Sequence, residues 1–115
     1  MILSTRYSGR VAIIDVSGSL TLSPATNRMS RRIESLLSKK LPAGLILNLA
    51  EVPMIDSAGL GELMKIHTFA TRNRMKLALL KVKPRIVEVL EVTRLDGLLP
   101  ICDDEASALE QVAES

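Results

Sequence analysis

Aromatic side chains are nearly missing: Tyr7 and Phe69 are the only ones in 115 residues, and there is no tryptophan. Stacking platforms for bases or sugars need exposed aromatic faces, so direct nucleic-acid binding is not expected. The core has to be assembled from Leu, Ile, Val, Met and Ala. Cysteine occurs once, at Cys102, which excludes an intrachain disulfide and a cysteine-based metal cage. This usage fits a reducing compartment. No run approaches the roughly 18 apolar residues that a membrane span requires, and the first residues lack the long apolar region of a secretory leader. The expectation is a soluble, cytoplasmic protein. What is present is an ordinary globular balance, 47% hydrophobic and 24% charged, enough for one domain over residues 1–115.

The net charge of +2 is unevenly placed. Residues 103–115 carry five carboxylates and no Lys or Arg, so the rest of the chain has a surplus of seven cations. A solvated surface with an acidic last helix accounts for this. An electropositive face for an acidic protein partner is the alternative.

Residues 2–7 and 11–16 read as two short strands. The spacer Ser8-Gly9-Arg10 supplies turn chemistry, so they form an antiparallel hairpin. Gly18-Ser19-Leu20-Thr21-Leu22 leaves the second strand as a loop. Ser23-Pro24 opens a helix, with serine as cap and proline in the first turn. Met29, Ile33, Leu36 and Leu37 share one face of it, and Leu41-Pro42-Ala43-Gly44 ends it. Leu45–Leu49 is a compact apolar strand, expected at the centre of a sheet. From Ser57 onward, Leu60, Leu63, Met64, Ile66, His67 and Ala70 give a broad apolar helical face. Residues 75–82 make another strand and Pro84 starts a third helix. Leu98–Cys102 is a brief edge strand in which Pro100 is tolerable. A last helix follows Asp103-Asp104-Glu105, with Ala106, Leu109, Val112 and Ala113 inward. The order β-β-α-β-α-β-α-β-α predicts an α/β fold: one mixed, mostly parallel sheet of about five strands, an N-terminal hairpin and four helices.

Few reactive groups converge. His67 lies ten helical residues from Ser57, on the order of 15 Å along the helix, which argues against a Ser-His-Asp arrangement. Gly59-Leu60-Gly61 lacks the third glycine of a dinucleotide fingerprint and the Lys-Ser/Thr pair of a phosphate loop. Asp103-Asp104-Glu105 is explained by helix capping without a metal, Asp15 by an outward strand position, and Cys102 by packing as a small hydrophobe. No catalytic residue, metal or cofactor is expected, and the chain does not read as an enzyme.

The stretch Ile55-Asp56-Ser57-Ala58-Gly59-Leu60-Gly61 stands out. It places a serine at a strand-to-helix junction, beside unpaired N–H groups at the positive end of a helix dipole, where an anion is favoured. Either Asp56 or Ser57 could be the cap. The two glycines cost helix stability and leave the first turn bare for the approach of a partner.

Asp56-Ser57-Ala58-Gly59-Leu60-Gly61, after a strand ending Leu47-Asn48-Leu49, resembles the STAS domain of bacterial anti-sigma factor antagonists. The element order agrees over nearly the whole chain, and residues 92–99 and 103–109 look like the family's third and last helices. The resemblance implies that Ser57 is phosphorylated by an anti-sigma factor of the serine-kinase type. Binding of that factor releases a sigma factor and so regulates transcription, phosphorylation ejects the antagonist, and a serine phosphatase reverses it. The contact surface it implies is Asp56, Ser57, Ala58, Gly59, Leu60 and Gly61, with Ser19 and Thr21. The family commonly has Gly-Glu-Leu-Asp where this chain has Gly18-Ser19-Leu20-Thr21. The lost acids leave the partner and the kinase reaction open. A STAS scaffold without phosphorylation, or a nucleotide-binding regulator, is the alternative.

Overall fold

β-Branched residues on either side of Gly9 form the hairpin, with β1 (Ile2–Ser8) antiparallel to β2 (Val11–Ser17) and Gly9 at φ +57° in the turn. There follow α1 (Pro24–Asn27), α2 (Met29–Leu37), β3 (Gly44–Glu51), α3 (Ser57–Arg72) and β4 (Lys76–Leu80). The chain continues with α4 (Pro84–Val92), a 3-10 turn (Leu95–Gly97), β5 (Ile101–Cys102) and α5 (Glu105–Gln111). This computed structural model describes residues 1–113. The sheet order is β1-β2-β3-β4-β5, parallel after the hairpin. Leu45–Leu49, apolar except for Asn48, lies in the central strand, as its burial on both faces requires.

The period-two alternation of the strands sorts two cores. Ala12, Ile14, Val16, Leu45, Leu47, Leu49, Leu77 and Leu79 face α2, α3 and α4, which contribute Met29, Ile33, Leu37, Leu63, Ile66, Ile86 and Leu90. Ile13, Ile46, Ala78, Leu80 and Cys102 face the short α5 through Ala108 and Val112. Each fully buried Leu or Ile contributes about 1.5–3 kcal/mol of transfer free energy.

Several expectations need correction. The helix expected after Ser23 is two, so the described residues hold five α-helices and not four. Ser23 does cap α1, its Oγ accepting from the Thr26 N–H at 3.0 Å. The break comes at Arg28, because the Ser30 N–H donates to Glu62 Oε1 at 3.0 Å and not to a carbonyl one turn back. A buried carboxylate on α3 thus starts α2 afresh. Leu36 is half exposed at 50%, outside the buried stripe of Met29, Ile33 and Leu37. Gly44 opens β3 and does not end a helix. A Cβ there would meet the Val112 carbonyl at 2.8 Å, so glycine lets the end of α5 lie on the strand. In α5 the inward residues are Ala108 and Leu109, with Val112 just beyond, while Ala106 and Ala113 are exposed.

Asp15 is half-buried and not outward. Arg6 Nε donates to it at 2.9 Å and Asn48 Nδ2 at 2.8 Å, and Arg6 also pairs with Glu105 at 2.8 Å. These bonds, the Arg6 hydrogen bond foremost, hold the Asp15 carboxyl below the usual range. Among the described residues no helix is long and apolar enough to cross a membrane.

Candidate functional site

The site lies beyond the C-terminal ends of β2 and β3, where two segments run side by side. Gly18, at φ +113°, turns the chain out of β2 while its N–H bonds the Glu51 carbonyl at 3.1 Å. Leu20 N–H donates to the Met54 carbonyl at 2.9 Å, and Asp56 N–H donates back to the Leu20 carbonyl at 3.1 Å. Leu20 and Ile55 thereby form a short parallel bridge. Leu20 is fully buried, so its neighbours Ser19 and Thr21 alternate away from it, Ser19 exposed and Thr21 half-buried.

Asp56 decides the cap. Its backbone is extended at φ −124°, and Oδ1 accepts from Ala58 N–H at 2.9 Å and Gly59 N–H at 3.2 Å. Its other oxygen, Oδ2, accepts from Leu22 N–H at 2.8 Å. One carboxylate therefore ends the loop and begins the helix. The Leu22 bond, with the Gly59 and Ala58 bonds behind it, holds the Asp56 carboxyl below the ordinary range.

Ser57 is then the first residue of α3, exposed, and its hydroxyl makes no hydrogen bond among the described residues. The unpaired N–H groups expected beside it are not unpaired, because Asp56 occupies those of Ala58 and Gly59. The two glycines also differ. Gly61 is exposed, with nothing among the described residues within 4 Å of a Cβ, as expected of a bare turn. Gly59 is buried, and a Cβ there would lie 2.1 Å from the Leu20 carbonyl. Gly59 therefore serves close packing and offers no surface to a partner. Ala58 is half-buried, and half-buried Leu60 packs on the core, so Ser57 and Gly61 are the open positions of the turn.

Three features escaped the sequence reading. Leu22 and Met54 flank the turn at 73% and 49% exposure, too much for core residues. Nothing in the sequence separates them from the buried Leu20 next door. Glu62 is buried at 3% exposure, accepting from the Ser30 N–H and hydroxyl at 3.0 Å and from Lys65 at 2.9 Å. Burial alone would raise its pKa. The bonds from Ser30 and Lys65 outweigh that, and the carboxyl titrates below its ordinary value. Glu62 could have been found, since Glu62, Ile66 and Ala70 lie four residues apart on the buried stripe of α3.

The remaining titratable candidates are elsewhere. His67 is half-buried near Thr71, Leu98 and Pro100, far down α3. Asp104 caps α5 by accepting from Ser107 N–H at 2.7 Å, and Glu105 is engaged by Arg6. Burial, reinforced by Asp104 and Asp103, raises the Cys102 thiol.

A sequence model of the STAS domain matches residues 3–108. The chain is 22% identical over 102 residues to an anti-sigma F factor antagonist of Paenibacillus polymyxa, covering 89% of this chain and 86% of that one. Its fold is similar to that of a Thermotoga maritima protein, at a TM-score of 0.86 and 22% identity over 96% and 93% of the two chains. It is also similar to an anti-sigma factor antagonist of Mycobacterium paratuberculosis, at 0.82 and 18% over 98% and 94%. The antagonist SpoIIAA in its unphosphorylated form follows at 0.70 and 18%, over 95% and 96%; it has also been solved phosphorylated. Five strands in this order, a helix begun by Asp56-Ser57 and a sequence match over almost the full length lead to one assignment: the chain belongs to the STAS domain family.

Proposed function

We propose that this protein is an anti-sigma factor antagonist switched at Ser57. Unmodified, it binds and sequesters an anti-sigma factor of the serine-kinase type. The partner transfers a phosphoryl group to Ser57 and is released, and a serine phosphatase resets the cycle. In the transfer, Ser57 Oγ attacks the γ-phosphorus of the partner's ATP. The bond to the bridging oxygen breaks, ADP leaves, and the hydroxyl proton passes to a base on the partner. The chain is substrate and ligand here, not enzyme.

One observation carries the reading: an exposed hydroxyl that makes no hydrogen bond among the described residues heads α3, in a turn where Leu22 and Met54 also expose apolar side chains. The environment favours ejection. A phosphate brings about −1.5 to −2 charges. The nearest helix-terminal amides are already held by Asp56, and the Asp56 carboxylate itself repels a second anion. The charge stays on the docking surface, where an interface must desolvate it. A cost of about 3–5 kcal/mol corresponds to a loss of roughly two to more than three decades in affinity. Of the substituted loop, Ser19 is open to a partner and Thr21 partly so. Both offer neutral hydrogen bonds where the family commonly places acids.

The test mixes the chain and ATP with kinase-type anti-sigma factors, and reads intact mass, the modified residue and complex formation. One phosphate on Ser57, absent in Ser57→Ala, with complex retained by Ser57→Ala and weakened at least tenfold by Ser57→Asp, is the expected result. Phosphate mapped to Ser19 or Thr21 would refute the assignment. A stable complex that never acquires phosphate would favour a scaffold without the switch.

A further inference from the structure

The outer side of β1 is the long open edge of the sheet. β1 pairs over all seven residues with β2, and the strand order ends with it. Natural edges are blunted by proline, lysine, bulges or outward charge. β1 contains neither proline nor lysine, and its register runs unbroken from Ile2↔Ser17 to Ser8↔Val11. Ile2 and Tyr7 stand 67% and 59% exposed along it. Its one charge, Arg6, is held by Asp15 and Glu105 of its own subunit, at 2.9 and 2.8 Å, and so does not reach out from the edge.

We propose that β1 pairs antiparallel with β1 of a second copy of this chain, about a two-fold axis at Thr5, joining two sheets into one. Residues opposite each other must share a face, so the axis has to pass through a residue. At Arg6 it would set Arg6 against Arg6 of the copy. At Ser4 it would leave Ser8 unpaired and set Tyr7 against Met1, outside the strand. At Thr5 all seven residues pair: Thr5 with Thr5, Leu3 with Tyr7 and Ile2 with Ser8, and Ser4 opposite Arg6, with no like charges opposed. Hydroxyl–hydroxyl and aliphatic–aromatic pairs are favourable across strands. The consequence is geometric. The two Ser57 turns lie at opposite ends of the joined sheet, so each copy presents its own turn to a separate partner. This inference does not depend on Ser57 being phosphorylated.

Edge pairing is a small interface, so association is expected between about 1 µM and about 1 mM. Sedimentation equilibrium of the full chain across that range is expected to show the mass rising from 12.5 kDa toward twice that value. Ser4→Lys sets cations against Arg6 of the copy while facing Asp15 in its own chain, so it is expected to fold and to associate at least tenfold more weakly. Thr5→Cys is expected to form a disulfide-linked dimer under mild oxidation, because its partner is itself. Ile2→Cys or Ser8→Cys alone is not, whereas the two mixed are; circular dichroism checks the fold of each variant. A mass of 12.5 kDa throughout, association unchanged by Ser4→Lys, or faster linkage by Ile2→Cys alone than by Thr5→Cys would overturn the proposal.

Discussion

Gly59 and Gly61 stand two residues apart in the same helix, yet alanine at the two positions should change stability in opposite directions. Alanine gains about 1 kcal/mol over glycine from helix propensity at either place. At Gly61 nothing among the described residues lies within 4 Å of the new Cβ, so Gly61→Ala should stabilise the fold by about that amount. At Gly59 the Cβ would meet the Leu20 carbonyl at 2.1 Å, Ile55 Cγ1 at 2.7 Å and Leu20 Cβ at 2.8 Å. The obstructing oxygen is backbone, held by the Asp56 N–H, and Leu20 is fully buried, so neither can swing aside. Losing that hydrogen bond costs about 1 kcal/mol. Overpacking around Leu20 and Ile55 adds about 1–3 kcal/mol. Against the propensity gain of about 1 kcal/mol, Gly59→Ala should be net destabilising by about 1–3 kcal/mol. Urea unfolding of the three proteins at unchanged m-value gives the comparison directly. A Gly59→Ala variant as stable as the parent would refute the close packing of the Leu20 loop on α3.

Truncating Glu62→Ala strands the Ser30 N–H and hydroxyl and empties a buried site, and should cost about 2–4 kcal/mol; amide exchange at Ser30 should quicken more than in β3. Asp56→Ala should accelerate exchange at Leu22, Ala58 and Gly59 together, because one carboxylate serves all three, and unchanged protection at Leu22 would show that the loop is held otherwise. Asp15, Asp56, Glu62 and Asp104 all titrate below their ordinary values. The native state therefore binds fewer protons than the unfolded chain, so their stabilisation is complete above about pH 5 and fades as pH falls through the depressed values. Urea midpoints should drop steadily from about pH 5 to about pH 2, and a flat profile would contradict the assigned partners. The Cys102 thiol, buried and facing Asp104 and Asp103, should react slowly with a thiol reagent in the native protein and at once in urea.

Much of this protein is readable before it folds. The hairpin turn at Gly9, the Ser23-Pro24 helix start, the apolar run Leu45–Leu49 and the helix after Asp56 are set by local preferences, which act between near neighbours. Such preferences fix the strand–helix alternation and hence the α/β class. The placement of Ser57 at a helix start is equally local. The choice between Asp56 and Ser57 as cap is not, because the second oxygen of Asp56 is used by Leu22, 34 residues earlier. Glu62 is likewise a surface residue by composition and a buried one by contact, and its bond to Ser30 splits a helix that periodicity alone would leave whole. Gly59 and Gly61 have the same side chain and opposite surroundings. Sequence determined which elements form and where the serine stands. Only tertiary structure decided which amides are already taken, which glycine is packed and which apolar residues face outward, because those depend on segments that meet only once the chain has closed on itself.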